Sequence, residues 1–384
     1  MISRGYKTVL TICSDLPRWV LVLTLLAACA QRGHLSYAPA SATSGPVETV
    51  FVGSTRKVDP ETGTFGKGRS EATAYARFEI AIPPDRALGD ITYAPRHGPP
   101  DPARDFVTTA QVMFPDAAAF RASLHAQLAR QPKGKREVMI FVHGYNSNFS
   151  EGLYRIAQLK HDLDPPGIAL HYAWPSAATP FGYVYDRDSA LFARAGLVDL
   201  IHQAQAAGAV RITLVAHSMG CGLTMEALRT LAEERDGRAM QAIGGVILIS
   251  PDIDVDVFRA QAHDVGVLPQ PFVIFASAED KILKLSARLT GQTERLGSMD
   301  TLSRVADLKV TVLDDAAFNQ GSGHFNLADS PAMISLLGRL GDISADFNAD
   351  KARRVGLLSG VVLTLQNATM VVMSPVVNLA GGRN

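Results

Sequence analysis

From about residue 137 the apolar residues fall into short continuous runs separated by longer stretches of helical period. The runs 137–142 (EVMIFV), 168–173 (IALHYA), 210–216 (VRITLVA), 243–250 (IGGVILIS), 271–277 (PFVIFAS) and 308–313 (LKVTVL) read as strands. The stretches 149–163, 183–207, 219–234, 254–263, 280–290 and 328–340 read as helices. Strands without a polar face are buried on both sides. Their alternation with amphipathic helices predicts a mostly parallel sheet with helices on both faces. Upstream, 47–53, 74–82 and 106–114 have the β-branched and aromatic content of strands, and 116–130 that of a helix with Asp116 at its cap. Lys57 to Ser70 is polar and Gly-rich and reads as a loop. Residues 83–105, rich in Pro, Gly and Asp, read as mostly irregular. No internal repeat is visible.

The two ends carry a different pattern. Arg4, Lys7 and Arg18 precede the apolar run Trp19–Ala28, too short to span a bilayer and typical of a secretion signal. The run ends Leu26-Ala27-Ala28-Cys29, which resembles a lipobox with Cys29 as the lipidated mature N-terminus. Ala28-Cys29-Ala30 also fits ordinary signal cleavage. The leader is long for its type, with Asp15 and Pro17 inside it, which leaves room for a start downstream of Met1. The organisation expected is a signal over 1–28, a flexible tether over 29–46, one domain over 47–345, and an apolar C-terminal segment over 346–384. Within that last segment 355–377 is long enough to cross a membrane, but Gln366, Asn367 and Pro375 interrupt it. Packing on the domain is the other reading.

Composition narrows the function. The 384 residues are 47% hydrophobic and 19% charged, with formal net charge +0, so no basic surface for nucleic acid is expected. The cysteines are Cys13, Cys29 and Cys221. Only Cys221 lies in the folded part, so neither a disulfide nor a zinc site is expected there.

The chemistry centres on Ala216-His217-Ser218-Met219-Gly220, where a strand ends and a helix begins. A serine in such a turn is the pattern of a nucleophile elbow. Small residues two positions either side avoid a clash, and the helix start aims the Met219 N–H at developing negative charge. Gly222 would ease close packing of the helix on the sheet. The competing reading is that Ser218 caps the helix. A serine needs a base, and the base an orienting acid, in the order Ser, acid, His. Of the two downstream histidines, His263 sits inside a helix and His324 in a Gly-rich loop after the last strand, where the base belongs. Asp280 is the first choice for the acid. Glu279 is adjacent, and Asp252, Asp254 and Asp256 follow the previous strand, with helix capping and first-turn charge as their alternative roles. The second oxyanion donor is expected at the Tyr145 N–H, after His143-Gly144 at the end of strand 137–142. His143 itself is expected to be structural. The segment Trp174–Asp188, with Phe181, Tyr183 and Tyr185, is expected either to line or cover the site or to close the core.

The stretches FVHGYNSNF, YAWPSAATPFGYVYDRDSA, VAHSMG and SPDIDVDVF, with Ala-Glu-Asp-Lys and the later Gly-His-Phe, together resemble the DUF900 group of bacterial α/β-hydrolases over residues 47–340. The resemblance implies an α/β-hydrolase fold with an N-terminal strand extension. By position it supports Ser218, Asp280 and His324 as the triad. Ala216 departs from the stricter Gly of the pattern, and the C-terminal apolar segment lies outside it. The expected reaction is hydrolysis of an ester or thioester with no metal or organic cofactor, on a small-molecule or lipid-like substrate, by an exported protein tethered in the cell envelope. An acyltransferase on the same scaffold and a non-catalytic envelope lipoprotein that binds a partner are the alternatives.

Overall fold

Along the central strands alternate side chains are buried on opposite faces. Val138, Ile140 and Val142 join one apolar cluster, Met139 and Phe141 another; Leu214 and Ala216 are likewise split from Val215. A strand apolar at every position needs cover on both sides. The computed structural model describes residues 32–277, 280–289, 291, 294–298, 302–314, 360–365 and 367–373. Its strands are β1 (Val47–Asp59), β2 (Thr64–Ala81), β3 (Val107–Phe114), β4 (Glu137–Val142), β5 (Ile168–Ala173), β6 (Arg211–His217), β7 (Ile243–Ile249), β8 (Phe272–Ala276), β9 (Thr311–Asp314), β10 (Gly360–Leu365) and β11 (Ala368–Met373). Its α-helices are α1 (Ala117–Leu128), α2 (Phe149–Leu163), α3 (Tyr183–Phe192), α4 (Arg194–Ala206), α5 (Met219–Glu233), α6 (Gly237–Ala242), α7 (Val255–Val265) and α8 (Lys281–Leu289).

All the described strands form one sheet in the order β10-β11-β9-β8-β7-β6-β4-β5-β1-β2-β3. The pairs β1–β2, β2–β3 and β10–β11 are antiparallel, and every other neighbouring pair is parallel. Buried residues of α1, α4, α5 and α7 pack on one face, and Phe149, Leu153, Tyr154, Ile156, Ala157 and Leu159 of α2 on the other. Local signals start these helices. Asp116 caps α1 by accepting from the Ala119 N–H (2.8 Å), and Asn148 and Glu151 form a reciprocal capping box at α2. This is the mostly parallel α/β sheet, covered on both faces and extended at its N-terminal side, that the periodicity predicted.

The structure departs from the sequence expectations at five places. Residues 57–59 and 64–70 are not loop but the distal arms of a β1–β2 hairpin joined by a turn at 60–63, with Arg56 opposite Arg69, Val58 opposite Phe65 and Asp59 opposite Thr64. Phe65 is buried against Phe149, which fixes that register. Helix 183–207 is two helices, with Ala193 between them capping the first. The strand expected at 308–313 is shorter and runs over Thr311–Asp314. Residues 32–46 are not a free tether. Ala38 N–H donates to Thr108 O (3.2 Å), Thr108 N–H to Ser36 O (2.7 Å), and Ser36 N–H to the Tyr154 hydroxyl (3.1 Å). The domain also does not end at 345. Within 346–384, β10 and β11 form a hairpin whose second arm adds to β9. Residues held in that hairpin are not a membrane-spanning helix, and no described helix is long and apolar enough to cross a membrane.

Candidate active site

Ser218 lies between β6 and α5 with φ 52 and ψ −123, a left-handed backbone that a serine adopts only under constraint. The constraint is visible on each side. Its N–H donates to Ile249 O (2.9 Å), and its own carbonyl accepts from Cys221 N–H (3.0 Å) and Asp252 N–H (3.2 Å). The side chain makes no capping bond to α5, so the alternative role as an N-cap is not taken. Gly220 has no room for a side chain: a Cβ there would sit 2.4 Å from His143 O and 2.7 Å from Val142 O. Gly222, expected to serve close packing, does not need to be glycine, since its Cβ would meet only Ile253 Cγ1 at 3.7 Å. Ala216 is buried in the β4–β6–β7 register, where its methyl is accommodated in place of glycine.

The loop after β4 lies directly against this turn. A Cβ on Gly144 would be 2.9 Å from Ser218 Cβ and 2.5 Å from His217 Nδ1. Tyr145 follows, and among the described residues neither its N–H nor that of Met219 has a protein acceptor. Asn146, φ 55, completes the turn. Ala178 and Ser250 are also in the positive-φ region, so backbone strain gathers around Ser218 at the carboxyl edge of the sheet.

The acidic candidates have different partners. Asp254 caps α7 by accepting from Asp256 and Val257 N–H, and Asp256 pairs with Arg304 (2.7 Å). Asp252 is buried in an ion pair with Arg295 (3.1 Å) and accepts from the Ser286 hydroxyl (2.7 Å) and the Tyr183 hydroxyl (3.0 Å). Asp280 follows β8, is fully buried, and has Oδ1 fixed by the Ile282 and Leu283 N–H groups, both at 2.9 Å. It stands two strands from β6, roughly 10 Å at the strand spacing, so an imidazole is needed to link it to Ser218. Glu279, His324 and Cys29 lie outside the described residues. His263 pairs with Asp307 (3.3 Å) on α7 and takes no part.

The sequence profile of the family described as "Alpha/beta hydrolase of unknown function (DUF900)" matches residues 116–339. The chain belongs to this family. It is therefore a hydrolase, which sets aside the non-catalytic binding lipoprotein. The match begins at the cap of α1, so β1–β3 lie outside it, although the resemblance in the sequence had extended to residue 47. No curated protein sequence matches the chain. Similar solved structures include Aspergillus fumigatus lipase B, at 14% identity over 38% of this chain and 37% of the lipase, TM-score 0.27. Others are one of two fungal esterases from Rhizomucor miehei (13%, 80% of this chain and 88% of that one, TM-score 0.34) and a Pyrobaculum calidifontis esterase (11%, 60% and 94%, TM-score 0.31).

What holds the loop over Ser218 in this DUF900 hydrolase is a buried polar cluster that was not read from the sequence. Asp186 of α3, fully buried, accepts from Asn146 N–H (3.1 Å), Ala177 N–H (2.6 Å) and the Ser176 hydroxyl (2.6 Å). Ser176 Oγ in turn accepts from Ser147 N–H (3.2 Å). Arg56, buried in β1, donates to Ser147 O (2.9 Å) and Ser176 O (3.3 Å). Burial raises the Asp186 carboxyl and lowers the Arg56 guanidinium to about 10, while each one's charge opposes the other's shift. His143 stacks on Trp174 with ring centroids 4.8 Å apart, and Trp174 Nε1 donates to His143 O (2.7 Å). Burial, then the Arg56 charge, lowers the His143 pKa to about 3, so the ring is neutral and structural, as expected. The only trace of the cluster in the sequence is an arginine at the polar end of a strand and an aspartate on a helix. Their partners are 91 and 40 residues away.

The Trp174–Asp188 segment divides its roles. Trp174 is in the core, Tyr183 reaches Asp252 and Ser286, Tyr185 lies under the Arg69 guanidinium (4.5 Å), and Phe181 is 97% exposed.

Proposed function

We propose that this hydrolase cleaves a carboxylic ester or thioester through an acyl-enzyme on Ser218. The observation that carries the reading is the strained turn. It places Ser218 just past the end of β6, leaves its side chain without a capping bond to α5, and sets the Gly144–Tyr145 turn against it and Met219 N–H next to it in the chain. Ser218 Oγ attacks the carbonyl carbon and its proton passes to His324. The Met219 and Tyr145 N–H groups take the charge that develops on the carbonyl oxygen. The C–O or C–S bond then breaks, His324 returns the proton to the leaving group, and water repeats the sequence to release the acid. Asp280 orients His324: Asp280 stands just after β8, two strands from Ser218, and His324 follows β9, the neighbour of β8, in the sequence. The protein acts after export, held at the membrane through Cys29.

Fluorophosphonate labelling tests the chemistry. The native protein labels, and Ser218→Ala does not; equal labelling of both removes Ser218 from the role. His324→Ala and Asp280→Ala are each expected to slow labelling by at least about a hundredfold.

A further inference from the structure

The chain enters the described structure on the loop that covers Ser218. Arg32 donates to Asn146 Oδ1 and Asn146 O, both at 2.8 Å, and pairs with Glu151 (2.7 Å). Gly33 N–H donates to Glu151 Oε1 (3.0 Å), and Gly33 O accepts from Asn148 Nδ2 (2.7 Å). Asn146 is two residues from Gly144, which touches the elbow. Cys29 precedes Arg32 by three residues, a span of at most about 11 Å in any conformation. A flexible tether running to residue 46 would give an r.m.s. reach of roughly 23 Å and leave the domain free to turn. A chain pinned at position 32 does not allow that. A membrane attachment at Cys29, as proposed above, would have to lie within that span of Arg32 and so near the loop over Ser218.

An independent feature faces the same way. The turn that carries Phe181 is attached to the same loop. The Tyr145 hydroxyl donates to Pro180 O (2.5 Å), and the Tyr145 and Tyr183 rings meet edge to face at 5.5 Å. Phe181 is 97% exposed and Val184, one turn on, 71% exposed. Through Tyr183 and Ser286 (2.8 Å) this segment also adjoins α8, which exposes Ile282 and Leu285. Large apolar side chains exposed together at the rim of a site mark a contact surface.

We infer that the mouth of the Ser218 site docks on a lipid bilayer and that its substrate is an acyl ester resident in that bilayer. This rests on the hydrolase reading of Ser218. Docking on uncharged lipid is apolar, so it needs no basic patch, consistent with the formal net charge of +0. Val267 is the control. It is 87% exposed but lies between α7 and β8, at the opposite edge of the sheet.

The test uses the full chain carrying Cys29→Ser, so that no lipid on residue 29 masks the surface. The probe is sedimentation with phosphatidylcholine vesicles, alongside hydrolysis of a long-chain ester embedded in those vesicles and of a soluble short-chain ester. Phe181→Asp with Val184→Asp is expected to lower vesicle binding and vesicle-ester turnover by at least about tenfold each. Soluble-ester kcat/KM stays unchanged, and Val267→Asp alters none of the three. Equal vesicle binding by the double variant, an equal loss with Val267→Asp, or a parallel loss of soluble-ester activity overturns the docking. Absence of soluble-ester activity in the parent overturns the hydrolase reading instead, while vesicle sedimentation still reports on docking.

Discussion

His171 offers a sharp test of the physics beneath the site. It sits fully buried on β5 among the rings of Phe141, Phe149 and His143, and among the described residues neither ring nitrogen has a hydrogen-bond partner. Burial, reinforced by His143 and Arg56, holds its pKa well below the ordinary histidine value. His171→Leu removes both unpaired nitrogens. An unsatisfied buried polar group costs about 1–3 kcal/mol, and an imperfect shape match gives back up to about 1.5 kcal/mol. The variant is therefore expected to be more stable at pH 8 by roughly 1 kcal/mol. The margin widens with acid. Folding keeps the imidazole neutral, so below about pH 6.5 the unfolded chain binds a proton that the folded chain refuses, and native stability falls as pH falls. At pH 5.5 this costs the wild type a little over 1 kcal/mol through His171 alone, and about 3 kcal/mol together with His143. His143 goes on costing stability down to its folded pKa of about 3. Urea unfolding at pH 8 and 5.5 measures it, with the variant's midpoint higher at pH 8 and the gap larger at pH 5.5. If both proteins lose stability in parallel over that range, His171 is not the buried neutral group described.

Gly220→Ala places a methyl 2.4 Å from a backbone carbonyl and should lower the melting temperature by several degrees and abolish activity, whereas Gly222→Ala, with 3.7 Å of room, should be neutral or stabilising by up to about 1 kcal/mol; thermal melts and ester turnover read both. Asp186→Asn disturbs the acceptor that holds Asn146 N–H and is expected to cut kcat by about ten- to a hundredfold with KM nearly unchanged; a KM effect alone would place Asp186 in substrate binding. Arg295→Met leaves Asp252 buried without its counter-charge and should cost about 3–5 kcal/mol by chemical denaturation, which Asp252→Asn in the same chain partly restores.

The parallel core was legible because its signals are local. Runs such as EVMIFV and IALHYA leave no polar face, and the strands observed at Glu137–Val142 and Ile168–Ala173 coincide with them. The elbow was legible for the same reason, since Gly144, Ser218 and Gly220 each answer to a turn within two residues. The errors share another cause. Lys57, Lys67 and Arg69 gave the β1–β2 arms the polarity of a loop, and only pairing across the hairpin, with Phe65 packed on Phe149 some eighty residues on, makes them strands. At the other end Gln366 and Asn367 were read as breaks in an apolar span; the described strands stop at Leu365 and resume at Ala368, so the break separates two arms of a hairpin. The Arg56–Asp186 cluster left least trace, because no residue in it neighbours its partner along the chain.

The loop 143–148 joins these parts. In the proposed mechanism this turn brings a backbone N–H to a developing oxyanion, a task that gains most from immobility before substrate arrives. Here it is fixed from four directions: Asp186 on Asn146 N–H, Arg56 on Ser147 O, Arg32 on Asn146 O, and the Tyr145 hydroxyl on Pro180 O. Arg56 and Arg32 come from segments upstream of the family match, at β1 and at the chain's entry. The N-terminal strands are thus more than an added edge to the sheet. They bring a buried guanidinium under the loop, and the segment before them adds the Arg32 and Gly33 contacts to Asn146, Asn148 and Glu151. If the chain docks on a membrane as inferred above, binding there and order at Ser218 would share the contact between Arg32 and Asn146. Arg32→Ala should loosen both, seen as lower kcat on a soluble ester and faster proteolysis within 143–148. If turnover and protection there are unchanged, the loop is held by Asp186 and Arg56 without help from the anchor side.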